Sequence, residues 1–272
     1  IAGMGGSAIA GLILKDLGRV KEAALFNLKA IEFDPKITDA YLSLSTMRES
    51  DASQKWHKQL FSENILKNKN NRDLVNIFFA RSNLLHRDGK YQKSAEYLVK
   101  ANNLKLKMHN SEAEFLIDKT KKLKISSDNY QVQSQILENY PLSIFIVGLP
   151  RCGSTLIESI ISLNHKVKDL GEVNIFEESY LEYKKYNEKI NISDIYCRKC
   201  EISNNKTITT NKWLFNYQYA GIIAQAIPNA KIIHCYRNPL DNILSTYRAH
   251  FATGNNFSSS LVDSAEVYSD QD

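Results

Sequence analysis

The sequence predicts an α+α/β chain, with paired amino-terminal helices followed by a parallel α/β domain. Three observations predict it. Small and apolar residues recur at helical spacing in the amino-terminal part, with a glycine at each expected turn. β-Branched runs then alternate with helical ones beyond residue 141, and a glycine-bracketed loop, Gly148-x4-Gly153, joins one predicted strand to one predicted helix.

Between Ala8 and Ser50 the helical spacing rests on Leu12, Ala23, Ala24, Leu28, Ala30 and Ile31, and Asp34-Pro35 breaks the run before Tyr41 and Leu44 begin another. Gly11 lies in the first helix, Gly18 at the turn, and Glu22-Ala23 open the second helix. A second copy runs from about Asn76 to Lys107, with Gly89 at its turn, Ser94-Ala95-Glu96-Tyr97 opening the next helix and Ala101 near its end; its closing proline is absent. Between the copies, Trp56, Leu60, Phe61, Ile65 and Leu66 predict further helix. These elements resemble tetratricopeptide repeats, which imply a short solenoid that binds a partner, packs on a neighbouring domain or dimerises. An unrelated helical bundle has the same amphipathic pattern and stays open as the alternative.

The predicted divisions are a repeat domain over 1–125, a linker over 126–140 centred on Ser126-Ser127-Asp128-Asn129, and a partial α/β domain over 141–272. In the last, strands are predicted at Ser143–Val147, Thr207–Thr210 and Lys231–Tyr236, and helices at Ser154–Leu163, Tyr217–Ala226 and Leu240–His250. Tyr180–Lys189 reads as an exposed helix face.

With 272 residues, 43% of them hydrophobic, each part can bury a core. The net charge of +5 is spread along the chain, which suits an anionic ligand and does not call for nucleic acid. Four cysteines, Cys152, Cys197, Cys200 and Cys235, are too few for a secreted disulfide framework, so a reducing, cytoplasmic setting is expected. No apolar run approaches the roughly 18 residues of a membrane span. The opening on Ile1 and the polar stop at Tyr268–Asp272 predict a fragment of a longer chain.

The chemistry-bearing segment is Gly148-Leu-Pro-Arg-Cys-Gly-Ser-Thr155. Its glycines free backbone N–H groups to face an anion, and Ser154 and Thr155 add hydroxyls at the positive end of the following helix. The glycine spacing is that of a Walker A loop, yet Ser154 stands where that loop needs lysine and Arg151 is the cation instead. A second segment, Ile232 to Ser245, brings Arg237 to a strand end, Pro239 into a first helical turn, and Ser245 two turns further on.

Together these segments resemble the sulfotransferases that use 3′-phosphoadenosine 5′-phosphosulfate (PAPS), and especially bacterial proteins that join tetratricopeptide repeats to such a domain. Over about Ser143–Thr253 the resemblance implies a P-loop-like α/β sulfotransferase domain, truncated at its carboxyl end. It implies that Pro150, Arg151, Cys152, Gly153, Ser154 and Thr155 hold the 5′-phosphosulfate and that Arg237 and Ser245 hold the 3′-phosphate. Cys152 replaces the commoner serine and Asn238 a common aspartate, and neither change removes a phosphate-binding group. Asp169-Leu-Gly-Glu172 looks like the tyrosylprotein branch, which implies Glu172 as general base, and Thr210-Asn-Lys-Trp213 implies Lys212 beside the transferred group. Asn211 and Leu214 depart from the family's aspartate and proline.

The implied activity is sulfuryl transfer from PAPS to a hydroxyl or phenol on a peptide, carbohydrate or small molecule, with Glu172, Lys212 and Arg151 catalytic and no metal required. Plain alternatives remain for single residues: a solvated carboxylate at Glu172, a surface lysine at Lys212, and His165 as a rival base. Cys197-x2-Cys200 has metal-ligand spacing without a second pair, so free thiols are expected. For the whole chain, the rivals are a non-catalytic repeat scaffold with a degenerate nucleotide-binding domain and a P-loop kinase or NTPase.

Overall fold

A computed structural model of the chain describes residues 4–47, 54–130, 140–186, 190–201, 207–251 and 254–271. Most of the predicted linker and the end of the predicted 180–189 face lie outside the described residues. The chain divides into two compact units: Ile1–Ser111 with Tyr247–Ser260, and Glu112–Thr246 with Leu261–Asp272.

The first unit is helical: α1 Met4–Asp16, α2 Val20–Phe33, α3 Thr38–Ser45, α4 Gln54–Leu60, α5 Asn71–Arg87 and α6 Tyr91–Met108. The turns α1/α2 and α5/α6 are built alike. Gly18 and Gly89 both sit at φ +73°, which favours glycine, and the following N–H groups of Arg19 and Lys90 reach back to Leu14 and Leu85 carbonyls at 2.8 Å in each. Gly11 admits close approach of α2, since a Cβ there would lie 2.4 Å from Asn27 Nδ2. Asn27 is buried and donates to the Ala23 carbonyl and the Ser43 hydroxyl. The main core gathers Ala30, Tyr41, Leu44, Trp56, Leu60, Ile77 and Leu84.

Tyr247 packs with Val75, Phe79, Leu98 and Ala101 in a second core of this unit, and Asn102 Nδ2 donates to its carbonyl. His250 stands edge-on to Phe79, and Lys105 Nζ donates to the Phe251 carbonyl. Burial of these aromatic rings is why residues 247–260 leave the predicted 141–272 block.

The second unit starts with α7, Ala113–Asp128, which the sequence reading put with the repeats. Here it finds partners in this unit: Thr120 donates to Asp270, Gln218 donates to the Leu116 carbonyl, and Lys119 pairs with Glu177. The sheet follows, with β1 Leu142–Gly148, β2 Val167–Asp169, β3 Ile208–Asn211 and β4 Ala230–Cys235. Its order is β2-β3-β1-β4, every pair is parallel, and Phe145 aligns with Asn211 and Gly148 with Cys235.

Helices α8 Ser154–Ile161, α9 Ile175–Lys185, α10 Ile192–Cys200, α11 Ala220–Ala226, α12 Pro239–Tyr247 and α13 Leu261–Asp270 complete the described α-helices, and a 3-10 turn runs over Leu214–Tyr219. That turn corrects the predicted helical start at Tyr217. The predicted exposed face at 180–189 is also corrected: Tyr180 and Tyr183 are buried, and Tyr180 packs on Tyr219, which touches Phe176 at the centre of an aromatic core with Phe145 and Tyr196. Ring area outweighs the charged neighbours that suggested exposure.

Candidate functional site

In a parallel sheet all strands point their carboxyl ends to one edge, and ligands bind at that edge where the strand order reverses. Here β1 leads through α8 to β2 on one side, while β4 lies on its other side. Each strand end delivers one group: the loop 149–153 after β1, Glu172 after β2, Lys212 directly after β3 and Arg237 after β4.

The loop is shaped by two glycines. Gly148 has φ +142°, and a Cβ on it would lie 2.6 Å from the backbone oxygen of Cys235, so β1 and β4 can close only around glycine. Gly153 precedes α8 at φ +101° with open space beyond it. Between them Pro150 is buried, and its carbonyl accepts from Asn242 Nδ2 at 3.1 Å and Thr246 Oγ1 at 3.2 Å, one turn apart on α12. Arg151 is exposed, adopts φ +71°, and its Nε donates to Ser245 Oγ at 3.3 Å. Arg237 is exposed and donates from Nη1 to the Arg151 carbonyl at 3.3 Å, while Tyr268 on α13 donates to the Arg237 carbonyl at 2.6 Å. The loop residues Arg151, Ser154 and Thr155 thus share one corner with Arg237 and Ser245.

Asn238 fills the place of the common aspartate by capping α12: its Oδ1 accepts from Leu240 and Asp241 N–H groups at 3.0 and 3.3 Å. Asn211 likewise has a local role, accepting from the Trp213 N–H and from Asn216 Nδ2, both at 3.0 Å. Cys152 is half-buried, next to the Cys235 thiol; burial and that neighbour push the Cys235 thiol up to about 11.

The second corner surrounds Lys212. Its side chain is 6% exposed, and its Nζ lies 2.5 Å from Glu172 Oε1 and 3.6 Å from Glu158 Oε2. A surface lysine is therefore not what stands there. Glu172 is open to solvent at 64%, whereas Glu158 on α8 is 7% exposed. Burial first, then the neighbouring Asp169 carboxyl, push Glu158 from its ordinary 4.5 to about 7, against the pull of Lys212 and a hydrogen bond from Thr210.

Glu158, Asn242, Thr246 and Tyr268 were not singled out from the sequence. The available signals were a lone charge inside the apolar run Leu156-Ile157-Glu158-Ser159-Ile160, and Asn242 and Thr246 spaced to share a helix face. His165 lies exposed in the turn after α8. Cys197 and Cys200 are thiols pushed up by burial to about 12 and 11, which suits free cysteines better than thiolate ligands.

Residues 190–271 match a family model described as Sulfotransferase family. The matched stretch holds Lys212, Arg237 and Ser245, and it suggests sulfuryl transfer as the general chemistry; the loop at 148–155 and Glu172 lie outside it. An uncharacterized protein of Aquifex aeolicus (strain VF5) is 24% identical over 267 residues, an alignment covering 88% of this chain and 34% of that protein. The chain spans about a third of the length of that relative. No solved structure matches it. No helix among the described residues is long and apolar enough to cross a membrane.

Proposed function

We propose that the α/β part of this chain transfers a sulfuryl group from PAPS to a hydroxyl or phenol acceptor by direct in-line displacement. The observation that carries the reading is the grouping of Arg151, Ser245 and Arg237 over the loop at one strand-end corner, beside Lys212 and Glu172 at the next. The residues fit the donor: Gly153 leaves open space over a helix start, and two exposed guanidinium groups and three hydroxyls offer donors for two separate phosphates.

The donor, when bound, supplies a sulfuryl group already attached to a phosphate leaving group. Glu172 is the exposed carboxylate that takes the acceptor's proton. Lys212 and Arg151 meet the negative charge that grows on the leaving oxygen, which lowers the barrier because the charge is larger in the transition state than before it. For this to occur Lys212 exchanges its contact with Glu172 for one with the reacting group. The amino-terminal helices are read as tetratricopeptide-like repeats, supported by the matching turns at Gly18 and Gly89, that hold a protein partner or the acceptor. A cytoplasmic setting suits the four free thiols.

Calorimetry with adenosine 3′,5′-bisphosphate tests the reading. Binding without added magnesium is expected, and Arg151→Ala or Arg237→Ala weakens it by about 1.5 to 3 kcal/mol, roughly 10- to 150-fold. Glu172→Gln keeps that affinity and lowers turnover. Binding of ATP with magnesium in its place, or no binding, sinks the assignment.

A further inference from the structure

A lysine that must serve a reacting group has to leave one carboxylate without losing its place. Lys212 touches two carboxylates that differ in exposure about ninefold, and only Glu172 reaches solvent. Glu158 sits one helical turn after Ser154 on α8, both buried, so the helix that begins the anion loop also presents this carboxyl. Asp169 at the end of β2 meets Glu158, and Thr210 on β3 donates to Glu158 Oε1 at 3.3 Å.

We propose that Glu158 is a positioning residue whose buried carboxyl, paired with that of Asp169, holds the Lys212 ammonium at the site when Glu172 turns to the acceptor. The inference rests on the sulfotransferase reading for its chemistry, but the contact itself does not.

The charges balance this way. Burial and the neighbouring Asp169 carboxyl favour the protonated form of Glu158, and Lys212 favours the ionised one, so the two pulls meet at the carboxyl that touches the ammonium. With Glu158 keeping the ammonium in place, Glu172 is free to act as a base. The groups facing Glu158 are Lys212 and Thr210 from the β3 side, Asp169 from β2, and Glu172 through the shared lysine; each enters that balance. The backbone supports the same geometry, since the Lys212 N–H donates to the Gly171 carbonyl and the Gly171 N–H to Asp169 Oδ1.

Two measurements on the full-length protein test this. In ammonium-resolved 15N NMR, the Lys212 signal should persist in Glu172→Gln and vanish through solvent exchange in Glu158→Gln/Glu172→Gln. Loss of the signal in Glu172→Gln alone overturns the proposal, and circular dichroism shows that each variant is folded. In kinetics, Glu158→Gln should lower kcat about 10- to 100-fold with little change in donor KM. It should also remove the ionisation near pH 7 from the rate profile, and Glu158→Asp should restore part of kcat. Parental kcat and profile in Glu158→Gln overturn the inference while leaving the sulfotransferase reading intact. Absence of bisphosphate binding overturns that reading instead, and the NMR result still decides the lysine's hold.

Discussion

The two corners of the strand-end edge are built on opposite principles. At the loop corner, Arg151 and Arg237 are exposed and, among the described residues, neither has a carboxylate partner; their hydrogen bonds go to Ser245 and a backbone carbonyl. At the lysine corner, the cation is buried and lies between two carboxylates. On the proposed function, the first corner keeps its positive charge for an anion that comes from outside, and the second, whose charge is already paired, releases it by exchange of partners. Steric fit therefore governs one corner and charge balance the other.

Gly148→Ala breaks the loop corner. The added Cβ meets the Cys235 oxygen at 2.6 Å in a backbone conformation that L side chains rarely adopt, so about 2 kcal/mol or more of stability is lost, read as a lower urea midpoint. Bisphosphate binding falls with it. Turnover that survives with full affinity contradicts steric control.

The lysine corner is sharpened by pH. Glu158 binds its proton more tightly in the folded chain than in the unfolded one, so its contribution is present at low pH and is lost as pH rises from about 4.5 through 7. Urea unfolding at pH 5 and pH 8 should therefore show a fall in stability from this group. Lys212→Met, which removes the cation that favours the ionised form, enlarges the fall, and Glu158→Gln flattens it. An unchanged difference in both variants removes charge balance as the organising term.

The smallest effect is expected at the cap of α12. Asn238→Ala removes the acceptor for two N–H groups and costs about 1 kcal/mol, whereas Asn238→Asp keeps the cap and leaves thermal stability nearly unchanged.

The loop corner was largely legible because its information is local. A strand, two glycines five residues apart, an arginine between them and a helix start lie within one short stretch, and Arg237 and Ser245 follow the same logic after β4. Paired glycines likewise marked the α1/α2 and α5/α6 turns. The lysine corner was only half legible: Lys212 and Glu172 entered by resemblance, but Glu158 meets Lys212 across 54 positions, the difference of their residue numbers, and no short pattern encodes that meeting. The three-residue strand β2 has no period of its own and exists by pairing with β3. The 247–260 segment and α7 group differently in the fold than in the sequence-drawn blocks for a related reason. Each is polar enough to suggest one neighbourhood, and a few groups, the buried Tyr247 and the half-buried Thr120 among them, favour another.

The left-handed turn at Arg151 bears on how such a site persists. At φ +71° glycine is the residue that the backbone itself favours, by about 1 kcal/mol over a residue that carries a Cβ. Drift toward a more stable chain at this point thus runs toward loss of the guanidinium. An arginine there is held against a standing gradient, and its retention across descendants would record selection for charge rather than for fold.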